Sequence, residues 1–576
     1  MANTNSMLTF NPKSYSIENL LNYIETGEIA LPELQRPFVW NNIKARDLID
    51  SLYKGLPVGL IILWEVHENN RHNPINPNSK TDPKYLVVDG QQRLTTLFSI
   101  VKNSDIVSKS GRNFKIKIAF NPIEEKFEVC NPAIEKDTRW ISDISEIFVR
   151  PSTYSFISEY VRKLNEKGID FNKDVVSSRI ERLKGIITYP FSIMELSTEL
   201  DPEEVSEIFV RINSKGQKLN QSDFILTLMS VYWPEGRKEI EKFCKESYKA
   251  IDMPSSYNPI KITPAPENLI RSIVGLAFNR GRLKYAYLTL KGRDFENKVI
   301  DENLRIENFK QLQVAQEKVL NLTNWHDYIK VILSAGFVNE NLISSKIAFF
   351  INYSFYLIGK EYGIDYKELE SYIRKWFVMT LLTQRYTSSP ESQIEEDLKN
   401  LTKANYLYYI NDQIRVNLTE DFWNIQLPGR LRSSSTINYA YLTYVASHVR
   451  DGTKVLFSQI YLRDYLNPLF KAKKKITDAH HIFPRAMLKR QNYNRKEINQ
   501  VANFLYLEYK DNIKIKDKHP REYFPELANE YENGDFERLY AIYDLPPNFW
   551  EMDYEQFLEV RRQLMAKRLK VYFQSL

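Results

Sequence analysis

Cysteine is nearly absent: Cys130 and Cys244 stand alone in 576 residues. Two isolated thiols build neither a disulfide framework nor a zinc site, and such usage suits a reducing cytoplasm. Long apolar runs are also missing. The longest, 56–64 and 347–358, are short or interrupted by Asn352, so neither a signal peptide nor a membrane span is expected. No G-x-x-x-x-G-K-[ST] occurs, and any nucleotide hydrolysis must therefore be of a non-Walker kind. The net charge of +6 is small for this length and does not alone argue for nucleic-acid binding. Neither an internal repeat nor a long Gly/Ser linker is present, so the domains are expected to pack together.

What is present is an ordinary globular composition, 43% hydrophobic, in a chain too long for one core. Histidine is scarce at seven residues, yet His480 and His481 are adjacent, within ITDAHHIFPRAMLKRQNYNRKEINQVANFLYLEY. The pattern predicts a strand over 476–481, a long basic loop, a strand over 503–509, then a helix or turn from Asp511 before Pro520. In a strand, neighbouring side chains leave on opposite faces. One imidazole can then hold a metal while the other faces a substrate. Hydrolysis of a phosphodiester needs a hard divalent ion and a base of near-neutral pKa, and Asp478, the histidines and an asparagine carbonyl are suitable groups. Positive charge gathers here too, with Lys471, Lys473, Lys474 and Lys475 before the pair and Arg485, Lys489, Arg490, Arg495 and Lys496 after it. A charge run is usually a solvated face, but beside a metal-site candidate it fits a polyanion.

The D-x-H-H-I-x-P strand, followed by Asn503, Asn512 and Lys516, resembles the HNH, or ββα-metal, nuclease family. The resemblance implies His481 as general base, with Asp478, His480 and Asn512 near a Mg²⁺ or Mn²⁺ ion and either Asp478 or His480 as principal ligand. It also implies that Asn503 pins the loop beneath the base.

Near the other end, an apolar strand closes in Asp89-Gly90 and a helix starts at about Gln91. Gly90 permits a close turn, and free N–H groups of the helix start make an anion seat to which Arg93 could add a guanidinium fork. Alternatively the turn is only a turn, and Arg93 pairs with a nearby carboxylate. Three stretches in order, LPELQRPFVW, LPVGLIILW and LVVDGQQRLTTL, resemble the N-terminal domain of GmrSD-type modification-dependent (type IV) restriction enzymes. That domain is similar to the ParB and sulfiredoxin fold. The resemblance implies binding and hydrolysis of GTP or another nucleoside triphosphate through Gln35, Arg36, Asp89, Gly90, Gln91, Gln92 and Arg93. Arg211, Asn213 and Lys215 could also reach the nucleotide, although a helix C-cap at Gly216 explains that run equally well.

Local signals predict helices over 16–26, 42–54, 154–167 and 175–186, a hairpin over 114–130 and a strand ending at Leu196. From 235 to 450 the pattern is mainly helical and aromatic, with His326 and His448 read as structural. In RYTSSPESQIEEDL, beginning at Arg385, a capped helix is the stronger reading and a contact to DNA the weaker. The expected fold is therefore α+β and multidomain: a ParB-like nucleotide-binding domain at 1–230, a helical region at 231–450, and an HNH module within helices at 451–576. The implied function is a cytoplasmic phage-defence endonuclease on modified DNA carrying glucosylated hydroxymethylcytosine or phosphorothioate, with a homodimer as one possible assembly. The competing readings are a nucleotide-switched DNA-binding protein that does not cleave, and a toxin-like nuclease acting on unmodified nucleic acid.

Overall fold

The computed structural model describes residues 10–32, 40–65, 72–73, 83–107, 113–198, 200, 204–205, 208, 221–246, 259–297, 299–468, 477–532 and 534–576. Gln35 and Arg36, the Arg211–Asn213–Lys215 run and the lysines at 471–475 lie outside these residues, as does the side chain of Asp478. The chain is mixed α+β and mostly helical, and it divides into two compact units, 1–237 and 238–576.

The first unit is built on a six-stranded sheet. Its elements are β1 (Phe10–Ser16), α1 (Ile17–Thr26), β2 (Ile29–Pro32), α2 (Asn42–Tyr53), β3 (Ile61–Glu65), β4 (His72–Asn73), β5 (Tyr85–Asp89) and α3 (Gln91–Val101). A hairpin, β6 (Ile118–Asn121) and β7 (Lys126–Val129), follows, then α4 (Thr153–Glu166), α5 (Lys173–Lys184) and β8 (Pro190–Leu196). Strand order is β1-β8-β3-β5-β2-β4, with β8 parallel to β3, β5 parallel to β2 and β3 antiparallel to β5. Helix α1 starts where its sequence says it should. The Ser16 hydroxyl accepts the Asn19 N–H, and Gly27 ends the helix at φ +89°, a conformation glycine adopts without Cβ strain. Leu20, Leu21 and Ile24 of α1 join Ile49, Leu63, Val87, Leu94 and Leu97 in one core.

Helices dominate the second unit: α6 (Pro266–Phe278), α7 (Lys346–Glu361), α8 (Tyr366–Thr383), α9 (Pro390–Asn400) and α10 (Tyr439–Arg450). Trp325, Tyr328, Tyr353 and Trp376 are fully buried among them, so the aromatic stripes are core. Next come β9 (Thr477–His481), α11 (Arg485–Arg490), α12 (Arg495–Ile498), β10 (Phe504–Glu508), α13 (Tyr509–Ile515), α14 (Pro520–Glu532) and α15 (Tyr554–Gln574). Strands β9 and β10 form their own antiparallel pair, His480 opposite Leu505 and His481 opposite Phe504. The segment expected as a long basic loop is instead two short helices, the second closed by a capping box between Asn494 and Glu497, a device that satisfies helix-start N–H groups reciprocally.

Candidate active site

The β9–β10 pair carries a cleft of about 470 Å³ lined by His480, His481, Pro484, Arg485, Ala486, Lys489, Asn512 and Lys516. Both histidines reach it, though their rings rest on different neighbours. His480 is buried against the edge of Tyr523, and His481 lies on Phe504 with ring centroids 4.7 Å apart.

Nε2 of His481 is 2.9 Å from Oδ1 of Asn499. An amide oxygen accepts, so this contact places the proton on Nε2 and the lone pair on Nδ1. Burial holds the imidazole below its ordinary pKa of 6.5; the Asn499 bond opposes that shift and the charge of Arg485 adds to it. The ring is thus neutral at pH 7, the state a base requires. For His480, burial pushes the pKa down to about 4 against the opposing effect of the adjacent Asn512 amide, with His481 lowering it further.

Buried polar atoms normally find partners, yet Nε2 of His480 has none among the described residues. An orphaned imidazole nitrogen beside an asparagine amide is a donor set suited to a divalent cation. No three His, Cys, Asp or Glu side chains converge among the described residues. An ion here would therefore be completed by water, substrate oxygens or the Asp478 side chain. The residues present fit an open metal site rather than a closed protein cage.

Asn503 is fully buried and is not among the residues lining this cleft. Its Oδ1 accepts the Phe483 N–H at 2.8 Å, and its Nδ2 donates to the carbonyls of Phe483 and Ile498. One amide thereby clamps the turn immediately after the histidines. Of the basic side chains around the cleft, Arg490 pairs with Asp517, Lys514 with Glu530 and Lys518 with Glu526. Arg485, Lys489 and Lys516, which line it, have no carboxylate partner among the described residues, so their charge faces the opening.

The glycine turn in the first unit is organised differently. Gly90 sits at φ +98° as the N-cap of α3, with no side chain capping the helix, and a Cβ there would come within 2.9 Å of Ile61. Gln91 and Gln92 are buried, and Oε1 of Gln92 accepts the Trp40 N–H. Arg93 donates to the carbonyls of Val58 and Leu60 at 2.7 and 2.8 Å and to Asp89 at 3.0 Å. Its guanidinium braces the approach to β3 beside Gly59, whose φ of +85° is one that L side chains rarely adopt.

Two further sequence features resolve as structure. Arg385 forms a buried two-pronged pair with Asp397, which also accepts the hydroxyls of Tyr386 and Tyr409. That arginine is a strut under α9, a helix that does start at Ser389-Pro390 but without a side-chain cap. His448 is buried with Nδ1 3.2 Å from the Thr453 hydroxyl and Nε2 3.4 Å from Asp544. Sequence reasoning missed Asn499 as the partner of His481. It also missed Tyr554 and Arg561 of α15, whose partners in the 497–504 segment lie more than fifty residues away and leave no local signal.

Residues 17–230 match the family model described as GmrSD restriction endonuclease, N-terminal domain. Over 568 residues, spanning 90% of this chain and 88% of the relative, the chain is 23% identical to Uncharacterized protein MJ0686 of Methanocaldococcus jannaschii. The segment holding the glycine turn and five of the six strands of the sheet is thus similar to the N-terminal domain of GmrSD restriction endonucleases.

Proposed function

We propose that this chain is a metal-dependent, HNH-type DNA endonuclease of phage defence, directed to modified DNA and regulated by nucleotide at its N-terminal domain. The reading rests foremost on the cleft, where a neutral histidine oriented by Asn499 stands next to a buried histidine nitrogen with no hydrogen-bond partner among the described residues. The family match over residues 17–230 supports restriction of DNA as the setting.

His481 Nδ1 takes a proton from the attacking water, while Asn499 holds Nε2–H and so stabilises the imidazolium that forms. Asp478, His480 and Asn512 would hold a Mg²⁺ or Mn²⁺ ion, which when bound neutralises charge developing on the phosphate and leaving oxygen. Arg485, Lys489 and Lys516 hold the DNA backbone by charge. Asn503 keeps the 482–484 turn in place so that the base stays aimed. At the N-terminal domain, the start of α3 behind Gly90 is where a nucleoside triphosphate would bind, by analogy with anion binding at helix starts. Asp89, Gln91, Gln92 and Arg93 shape that turn, with Gln35 and Arg36 as further contacts. The ParB-like character of this domain and its triphosphatase activity belong to the same proposal.

The test is cleavage of matched unmodified, glucosylated and phosphorothioated DNA with Mg²⁺ or Mn²⁺, with and without GTP or ATP. Cutting of one modified substrate, altered by nucleotide, is expected. Absence of cutting on every substrate, with nucleotide-dependent DNA binding, would leave a switched binding protein instead; preferential cutting of unmodified DNA would point to a toxin.

A further inference from the structure

The last helix packs one face against the segment that carries both asparagines of the site. Tyr554, Phe557, Leu558 and Arg561 recur at i, i+3, i+4 and i+7, a single helical stripe. Arg561 is fully buried, and its Nη1 donates to the carbonyls of Ala502 at 2.6 Å and Phe504 at 3.0 Å, the two residues flanking Asn503. The Tyr554 hydroxyl meets the carbonyls of Glu497 and Ile498 at 2.9 and 3.2 Å, immediately before Asn499. Phe557 lies against Phe483, ring centroids 4.8 Å apart, on the turn that Asn503 clamps.

Resting on the nuclease reading above, we infer that α15 is a positioning element for that site. Tyr554 and Arg561 fix the two ends of the 497–504 segment, and through Asn499 and Asn503 they aim His481. Neither residue lines the cleft, so neither touches substrate. A buried arginine needs its charge and hydrogen bonds accounted for. Here the acceptors are backbone carbonyls of this one segment and of Tyr543, with Nε unpaired among the described residues, so it is Nη1 that holds the loop. A hydrophobic residue would pack that position without holding anything.

Tyr554→Phe removes one hydroxyl and leaves the ring, while Arg561→Lys keeps the charge but loses the two-carbonyl bridge. Misplacing a catalytic group by about 1 Å can lower turnover by about 100-fold, and neither residue reaches the cleft where DNA would bind. Both variants are therefore expected to lose kcat for DNA cleavage with KM for DNA within about twofold. In hydrogen exchange read by mass spectrometry on the full chain without DNA, peptides covering 479–490 are expected to exchange faster in both variants, and peptides of the first unit to be unchanged. Wild-type kcat together with wild-type exchange in Tyr554→Phe and Arg561→Lys would overturn the inference. If the unaltered chain cuts no DNA while the 479–490 peptides still loosen in the variants, the nuclease reading falls and the brace survives as structure alone.

Discussion

The cleft at β9–β10 and the glycine turn at β5–α3 are both short motifs at the end of a strand, yet their polar atoms have different fates. Around the turn, Arg93 spends its guanidinium on Val58, Leu60 and Asp89, and Gln92 receives the Trp40 N–H. In the cleft, among the described residues, His480 Nε2 has no hydrogen-bond partner and three cations line the opening without an ion-paired carboxylate. A motif's residues show what they are for by the atoms the fold leaves over. In the cleft those are side-chain atoms; at the turn the guanidinium and the Gln92 amide are already engaged within the fold.

That contrast can be broken in order of effect. Removing divalent ions with a chelator, or replacing His480 by Ala, is expected to abolish cleavage while nucleotide binding at the first unit is retained. A His480→Ala variant that cuts at the wild-type rate would show that the orphaned nitrogen serves no ion. Asn503→Ala leaves the buried Phe483 N–H unpaired, a loss of about 1–3 kcal/mol visible as a lower urea midpoint for the second unit, with slower cleavage. Unchanged stability and rate would mean that the turn holds itself.

Arg93→Ala tests the other side. As a brace it should destabilise the first unit by about 1–3 kcal/mol, with Arg93→Lys only partly restoring it. Full stability combined with lost nucleotide affinity would make Arg93 a phosphate ligand and erase the contrast drawn here.

A smaller effect is expected from pH. Burial holds His448, His480 and His481 below 6.5, so the unfolded chain binds protons that the folded chain refuses. Their contribution to stability is complete above about pH 6.5. It falls as pH drops toward the folded values, about 4 for His480, by at most about 1.4 kcal/mol per pH unit for each group. Urea unfolding of the metal-free protein at pH 7, 6 and 5 checks the sign, and a midpoint that rises on acidification would refute it.

Much of the local structure was legible because its causes are local. Ser16 and Gly27 bound α1, Asp89-Gly90 ends β5, and Ser389-Pro390 opens α9. At the cleft, the histidine pair stood out by its rarity and the asparagines by resemblance to the HNH family, and the structure brings His480, His481 and Asn512 to one cavity with Asn503 buried. What stayed hidden depends on distant partners. Arg93 meets carbonyls more than thirty residues back, and Arg561 meets Ala502 across nearly sixty. A buried arginine in α15 reads in sequence like any other charge on a long helix. The two short helices inside the basic segment were also missed, since at six and four residues they are too brief for a period to declare itself.

The most direct measurement is the cleavage rate of the preferred DNA with Mn²⁺ for wild type beside His481→Ala, with nucleotide binding measured on the same samples. Loss of a general base costs about 10²- to 10⁴-fold, and a fall of that size with unaltered nucleotide affinity is the predicted result. A His481→Ala protein that cuts as fast as wild type would contradict the assignment of the cleft as a nuclease centre.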